Sequence, residues 1–385
     1  MTGAQYGSSK PSFETTEQSA HLLSFASMTI HGIGSYDKTT NLSGKFKRSL
    51  SFPAPVHTKY LYDATIPEII WSPLPPPTSG HLELQLENKF GEGTSGVSYA
   101  ASVKSSTALD MPKRICVKWA KGEHCRTLAR DAWFYEQLHR SGNCEGVITP
   151  RCYGFFTMKF EDLLKGIVGF GDDSDTEPDE DADERVLFKP WENLNSDEES
   201  LLPDDASDGY TLCEKNFCDD ADLKADSMWA WWSQRKGSKK LIAVLLLEEL
   251  GSGYPSGTVD KASLDDIREI ATDLGHTGIQ HYDLRSVNVL RSLGAQNGDK
   301  DDLDGDNPFK HSSLANEQNH RKREGYCERH QKVHVWRLID FDRATKTIFQ
   351  ESHPEEQKAC LEQGKLVGNE YFMGTLKPWI FPYLY

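Results

Sequence analysis

Apolar and polar side chains alternate along Leu82-Glu83-Leu84-Gln85-Leu86, the period of a strand with one face buried. The chain then runs through Gly91, Gly93 and Gly96, after which Val97, Tyr99 and Val103 set up a second strand. A dinucleotide-binding glycine run needs a helix at that point, so the spacing favours a hairpin. Arg114 to Trp119 continues as a third strand. From Arg126 to Leu138 the period lengthens, with Leu128, Ala132, Tyr135 and Leu138 near one face of a predicted helix. Ile148 to Phe156 is the next strand. Leu241-Ile242-Ala243-Val244-Leu245-Leu246-Leu247 is an unbroken apolar run, far too short to span a bilayer, and reads as a buried strand. Ser263 to His276 is amphipathic, with Ser263 as expected N-cap and Asp265 and Asp266 in the first turn. Val333 to Ile339 predicts a last strand.

The stretches between these elements are polar. Residues 1–60 are rich in Ser, Thr and Gly without sustained periodicity, which predicts a mobile arm, stiffened at its end by Pro73-Leu74-Pro75-Pro76-Pro77. The formal charge of −16 for all 385 residues is local: residues 171–226 hold 21 acidic and four basic residues, a net of −17. That stretch reads as a disordered insert closed by the Trp229-Ala230-Trp231-Trp232 cluster, and its charge excludes nucleic acid as its partner. Residues 291–332 form a second polar insert. Eight cysteines without a Cys-x-x-Cys pair, and no apolar leader, point to reduced thiols in the cytosol or nucleus and to no membrane partner.

Chemistry concentrates in His281-Tyr282-Asp283-Leu284-Arg285-Ser286-Val287-Asn288, between the last predicted helix and an apolar strand. An Asp and an Asn five residues apart suit phosphoryl transfer: the Asp orients and deprotonates a hydroxyl, and the Asn turns back towards a phosphate-bound magnesium. Three further pieces arrive in order around it: the glycine hairpin with Gly91, Gly93 and Gly96; Val117-Lys118 on a strand; and Asp340-Phe341-Asp342 after the last strand. Together they resemble the protein-kinase-like superfamily, and in character the kinase-like domain proteins of fungi, over roughly 82–156, 241–290 and 333–350.

The resemblance implies an α+β, two-lobed kinase-like fold with a small antiparallel-sheet N-lobe and a reduced helical C-lobe. Its parts would be an arm at 1–80, an N-lobe at 81–250 with the acidic insert 171–226, and a minimal C-lobe at 251–385 with the insert 291–332. It also implies ATP and Mg2+ as cofactors and transfer of the γ-phosphoryl group to a hydroxyl. Lys118 would hold phosphates, with Asp131, or alternatively Glu136, orienting it. Asp283 would be the base, Arg285 would neutralise transferring charge, and Asn288 and Asp340 would bind metal. Glu249 and Leu250, after the apolar strand, would line the adenine edge. Ser98, Tyr282 and Asp342 depart from the usual pattern, which leaves two rivals open: a scaffold that presents its acidic insert to a partner, and a small-molecule phosphotransferase, the class in which an acid stands at the position of Asp342.

Three shorter patterns complete the reading. Arg48-Ser49-Leu50-Ser51-Phe52-Pro53 fits the phosphoserine motif bound by 14-3-3 proteins, with Ser51 as the modified residue. Counting back from Gly305 as the sixth position of an EF-hand puts Lys300 first and His311 twelfth, which excludes calcium ligation there. Cys327-x-x-His330-x-x-x-His334 has zinc-ligand residue types but no paired cysteine, and a solvated loop is expected.

Overall fold

The computed structural model describes residues 21–36, 38, 40–51, 73–93, 95–121, 124–142, 144–165, 186–191, 241–255, 260–293, 325–346, 354–369 and 372–373. The acidic insert apart from 186–191, the Trp229–Trp232 cluster and residues 294–324 lie outside the described residues. Strands β1 (Ser27–Tyr36) and β2 (Thr40–Arg48) form an antiparallel hairpin. β3 (His81–Glu92), β4 (Gly96–Ser106) and β5 (Arg114–Ala120) follow as an antiparallel meander, with β6 (Cys152–Lys159) and, after β7 (Val186–Phe188), β8 (Leu241–Glu248) completing the sheet. β8 lies between β5 and β6. β1 runs parallel to β3, and β2 meets β6 through Lys47 opposite Thr157 and Arg48 opposite Phe156. The ring β1-β3-β4-β5-β8-β6-β2 therefore closes into a seven-stranded barrel, and β7 adds to the far end of β1.

This closure corrects the expected architecture. Among the described residues strand outweighs helix and builds a closed barrel, not a two-lobed kinase-like fold with a small antiparallel-sheet lobe and a helical lobe. The helices among them are α1 (Cys125–Arg140), α2 (Phe160–Lys165), α3 (Lys261–His276) and α4 (Pro354–Glu362). The difference comes from residues 27–48, assigned from sequence to a mobile arm. Along β2 the residues alternate between solvent and interior, with Leu42, Gly44, Phe46 and Arg48 inward. A glycine and an arginine at inward positions hide that period from an apolar count. An open sheet would leave rows of unpaired N–H and C=O groups, and β1 and β2 fill both edges.

Alternate residues of β5 and β8 explain two features of the sequence. Ile115, Val117 and Trp119 point into the barrel, while Cys116 and Ala120 pack on the other side against α1. Lys118 shares that outer face. In β8, Val244 and Leu246 face the interior and Ala243, Leu245 and Leu247 face α1, so both sides are buried and the run shows no alternation.

Two local readings also change. Arg48 is 8% exposed, donates from Nη1 to Tyr153 O at 3.1 Å and lies over the Phe156 ring. Its guanidinium fills the space a Cβ on Gly154 would occupy, and Gly154 has φ +131°. Ser51 is 3% exposed, so recognition by a 14-3-3 protein would require this barrel segment to detach. Helix α3 is capped by Asp260, which accepts from Ala262 N at 3.3 Å and Ser263 N at 3.1 Å, so Ser263 lies inside the helix. No described helix is long and apolar enough to cross a membrane.

Candidate active site

The described residues between α3 and residue 346 fold into short ribbons that fix the site. β10 (Val289–Arg291) pairs antiparallel with β13 (Trp336–Leu338), Val289 opposite Leu338. Ile339 N donates to Asn288 O at 3.0 Å, so Asn288 and Asp340 emerge at the same end of that ribbon. β9 (Ile279–Gln280) pairs with β14 (Thr345–Lys346), which closes the other side. The buried His281 ring bonds Ile339 O through Nε2 at 2.9 Å and sits 4.9 Å from the Phe341 ring. Among the described non-glycine residues with left-handed backbone are Tyr282 (φ 54°) and Asp340 (φ 68°), which bracket this junction.

One carboxylate ties three elements together. Asp131, on α1 and 1% exposed, accepts from Lys118 Nζ at 2.8 Å through Oδ2 and from Phe341 N at 2.9 Å through Oδ1. Lys118 also donates to Asp340 Oδ1 at 2.7 Å. The expected lysine partner is therefore Asp131. Glu136 is buried elsewhere, accepting from Leu74 N at 2.8 Å, where it holds the proline-rich segment.

The Asp283 loop is equally constrained. Arg285 lies against Asp283 through Nη2 to Oδ2 and Nε to Oδ1, each 2.6 Å. Asn288 Nδ2 donates to Asp283 O at 2.9 Å and to Asp283 Oδ2 at 3.0 Å. With its NH2 group committed inward, the amide oxygen of Asn288 is the atom left to accept a cation or donor.

The glycine hairpin reaches the same place from the barrel. Gly93 N donates to Gly96 O at 2.9 Å, closing the turn between β3 and β4. A Cβ on Gly96 would lie 2.8 Å from Trp119 O, so this position excludes a side chain. Ser95 Oγ donates to Asp342 Oδ2 at 3.4 Å, which joins the hairpin tip to the Asp340–Asp342 segment. A Cβ on Gly93 would meet nothing within 4 Å, whereas one on Gly91 would touch the Ser98 side chain at 3.6 Å. Glu249 pairs with Arg114 at 3.0 Å, and Leu250 precedes Gly251, whose N–H bonds Arg291 O at 2.7 Å. That segment links the barrel to β10.

Electrostatics follows from the count of charges. Burial disfavours the Lys118 ammonium, but Asp131, Asp340 and Asp342 outweigh it and hold the pKa well above the ordinary lysine value. Burial likewise works against the Asp340 carboxylate, and Lys118 overcomes it, leaving the group below the usual range. At Asp342 burial, then the charge of Asp340, outweigh Lys118 and Arg343 and push the carboxyl up to about 7. The site thus holds more carboxylate than one lysine neutralises.

Most of the sequence-predicted residues converge: Lys118, Asp131 and Asp340 form one cluster, and Asp283, Arg285 and Asn288 a second at the same ribbon end. Sequence reasoning gave no role to Ser95, His281 or Phe341, which position the others. His281 stands two residues before Asp283, a proximity that was the available signal. A scan against family models matches none, and no curated protein matches the chain in sequence.

Proposed function

We propose that the protein is a magnesium- and nucleotide-dependent phosphotransferase that moves the γ-phosphoryl group of ATP to a hydroxyl. The observation that carries this reading is the gathering of three carboxyl groups on one lysine, where Asp131 and Asp340 bracket the Lys118 ammonium at 2.8 and 2.7 Å and Asp342 adds to the same field. A hard divalent cation with phosphate ligands suits such a gathering, and Asn288 offers the neutral oxygen such a cation also takes. Bound magnesium supplies charge neutralisation for the phosphates as the bond breaks.

The protein's own groups have separable tasks under this reading. Asp340 and the Asn288 oxygen hold the cation. Lys118, oriented by Asp131, holds phosphate oxygens as a point charge. Arg285 leaves Asp283 for the transferring phosphate, which frees the Asp283 carboxylate to orient the acceptor hydroxyl and take its proton.

A second reading has one observation in its favour: Arg285 occupies both oxygens of Asp283. A domain that kept this lock would bind the magnesium nucleotide without transferring phosphate. The test is transfer of labelled γ-phosphate from ATP, with and without magnesium, into the protein and into a cell extract, beside calorimetric titration of magnesium-ATP. Transfer that needs magnesium and is lost in Asp283→Asn is expected. Binding without transfer would establish the second reading, and absence of both would overturn the two together.

A further inference from the structure

Six residues before Asp340, at the other end of β13, a second cluster converges that the proposed transfer reaction does not use. β11 (Tyr326–Cys327) and β12 (Lys332–Val333) form a small hairpin packed on α3. Cys327 lies on its first strand, His330 in its turn and His334 just past its second strand. Asp273, on α3, faces all three. The solvated loop expected here is a folded one, with Cys327 5% and His334 0% exposed.

Four of the six distances match the edges of a tetrahedron. Zinc bonds of about 2.3 Å to sulfur, about 2.0–2.1 Å to nitrogen and about 2.0–2.2 Å to oxygen put neighbouring ligand atoms roughly 3.3–3.4 Å apart for N–N and N–O, and roughly 3.6 Å apart for S–N and S–O. His330 Nδ1 lies 3.3 Å from His334 Nε2 and 3.3 Å from Asp273 Oδ2. Cys327 Sγ lies 3.6 Å from His330 Nδ1 and 3.5 Å from Asp273 Oδ2. The remaining two separations fall within 4.8 Å.

Hydrogen bonding alone does not account for this arrangement. His330 Nδ1 is within 3.6 Å of a thiol, a carboxylate and a second imidazole nitrogen, and one ring N–H cannot serve three partners. The surroundings instead aim two of the ligands, His334 and Asp273, inward. His334 Nδ1 meets Asp266 Oδ1 at 2.7 Å, which fixes the tautomer and leaves Nε2 as a lone-pair donor. Asp266 is held in turn by Val335 N at 2.9 Å and Lys332 Nζ at 2.9 Å. Arg329 Nε takes the outer oxygen of Asp273 at 3.2 Å, so Oδ2 faces the cluster.

An overlapping trio, Asp266, Glu269 and His334, competes on paper for the same ion. Lys332 already neutralises it, lying 2.9 Å from Asp266 and 2.6 Å from Glu269. One thiolate, two imidazoles and one carboxylate in a closed tetrahedron select zinc over magnesium or calcium, which need oxygen donors.

We propose that Asp273, Cys327, His330 and His334 bind a structural zinc ion that clips the 325–334 hairpin to α3, held in register by Asp266. The hairpin leads directly into β13, so the clip would set the position from which Ile339 and Asp340 depart.

The test measures metal, not transfer. Protein purified without a metal-affinity tag from zinc-replete cells is assayed by mass spectrometry, with about one zinc per chain expected. Cobalt added to chelator-stripped protein should give a thiolate-to-cobalt charge-transfer band together with the strong visible bands of a tetrahedral site. Cys327→Ser should lose the charge-transfer band, and His330→Ala should hold roughly a tenth of the wild-type zinc or less, since a closed site loses one of its four bonds. Asp266→Asn should keep the cobalt spectrum while weakening zinc binding roughly 10–100-fold. Should a variant fail to fold, zinc must still protect Cys327 of the wild type from alkylation, read by peptide mass spectrometry. Zinc-free wild type that takes up none, an octahedral cobalt spectrum without the thiolate band, zinc retained by the variants, or equal alkylation with and without zinc would each overturn the proposal.

Discussion

Strand β13 is three residues long, and the chemistry differs at its two ends. At the Asp340 end the donors are oxygens: Asp340 and Asp342, the Asn288 amide and, across Lys118, Asp131. At the His334 end they are a sulfur, two imidazole nitrogens and one oxygen. The first group is partly open, with the Asp340 side chain 28% exposed and three carboxyl groups gathered around one lysine. The second is closed on itself, with His334 aimed by Asp266 and Asp273 by Arg329. A site that exchanges its cation and substrate with solvent needs openness and a charge imbalance for the ligand to settle, whereas a structural clip needs neither. The same ribbon would then carry a reactive junction at one end and an anchor at the other.

The largest effect expected from separating the two ends is on rate. Asp283→Asn should lower phosphoryl transfer by roughly 10²–10⁴-fold, the usual contribution of a positioned base, and leave zinc content unchanged. A parallel loss of zinc would show that the two ends are not independent. Next in size is Lys118→Met, which strands the buried carboxylate of Asp131 and the partly exposed one of Asp340. A loss of about 3–5 kcal/mol in urea unfolding is expected. Magnesium should restore part of this, and a variant as stable as wild type would mean that Lys118 is not what balances the acids.

The pH dependence of stability sharpens the contrast further. Asp342 titrates near 7 when folded and near 3.8 when unfolded, so between those values the folded state holds the extra proton. Stability should therefore fall as pH rises through that window, by at most about 1.4 kcal/mol per pH unit. Asp342→Asn should flatten the profile, and magnesium-ATP should reduce the slope in wild type; a slope unchanged in the variant would assign the proton elsewhere. Smallest is Asp260→Ala, which removes the cap of α3 at a cost of about 1 kcal/mol. Zinc affinity should move little, because Asp266 and Asp273 lie well inside the helix; a large drop would mean that its first turn holds the clip in place.

Much of the candidate site was legible because its parts are short and local. The strand bearing Lys118, the helix bearing Asp131 and the five-residue interval from Asp283 to Asn288 are readable from period and spacing. The choice between Asp131 and Glu136 was not. Both lie on one helix, and only the packing of Phe341 and of Leu74 assigns one to the lysine and the other to the proline-rich segment. The zinc ligands were half legible: Cys327, His330 and His334 stand in one short segment, but the fourth ligand comes from Asp273, 54 residues before Cys327. Without it the triplet had the look of a loop.

Period and spacing along the chain suffice for the local elements from 82 to 120, the two-sided burial of Leu241–Leu247 and the residue types that could carry phosphate chemistry. The tertiary structure alone decided that the strands close. A period of two says which face a strand buries but not which neighbour accepts its backbone bonds, and the barrel depends on β2 meeting β6 across more than a hundred residues, Lys47 beside Thr157. Edge pairing is a property of the whole sheet, satisfied only once every strand is present, and for that reason the segment 27–48 passed for an arm until its partners were in view.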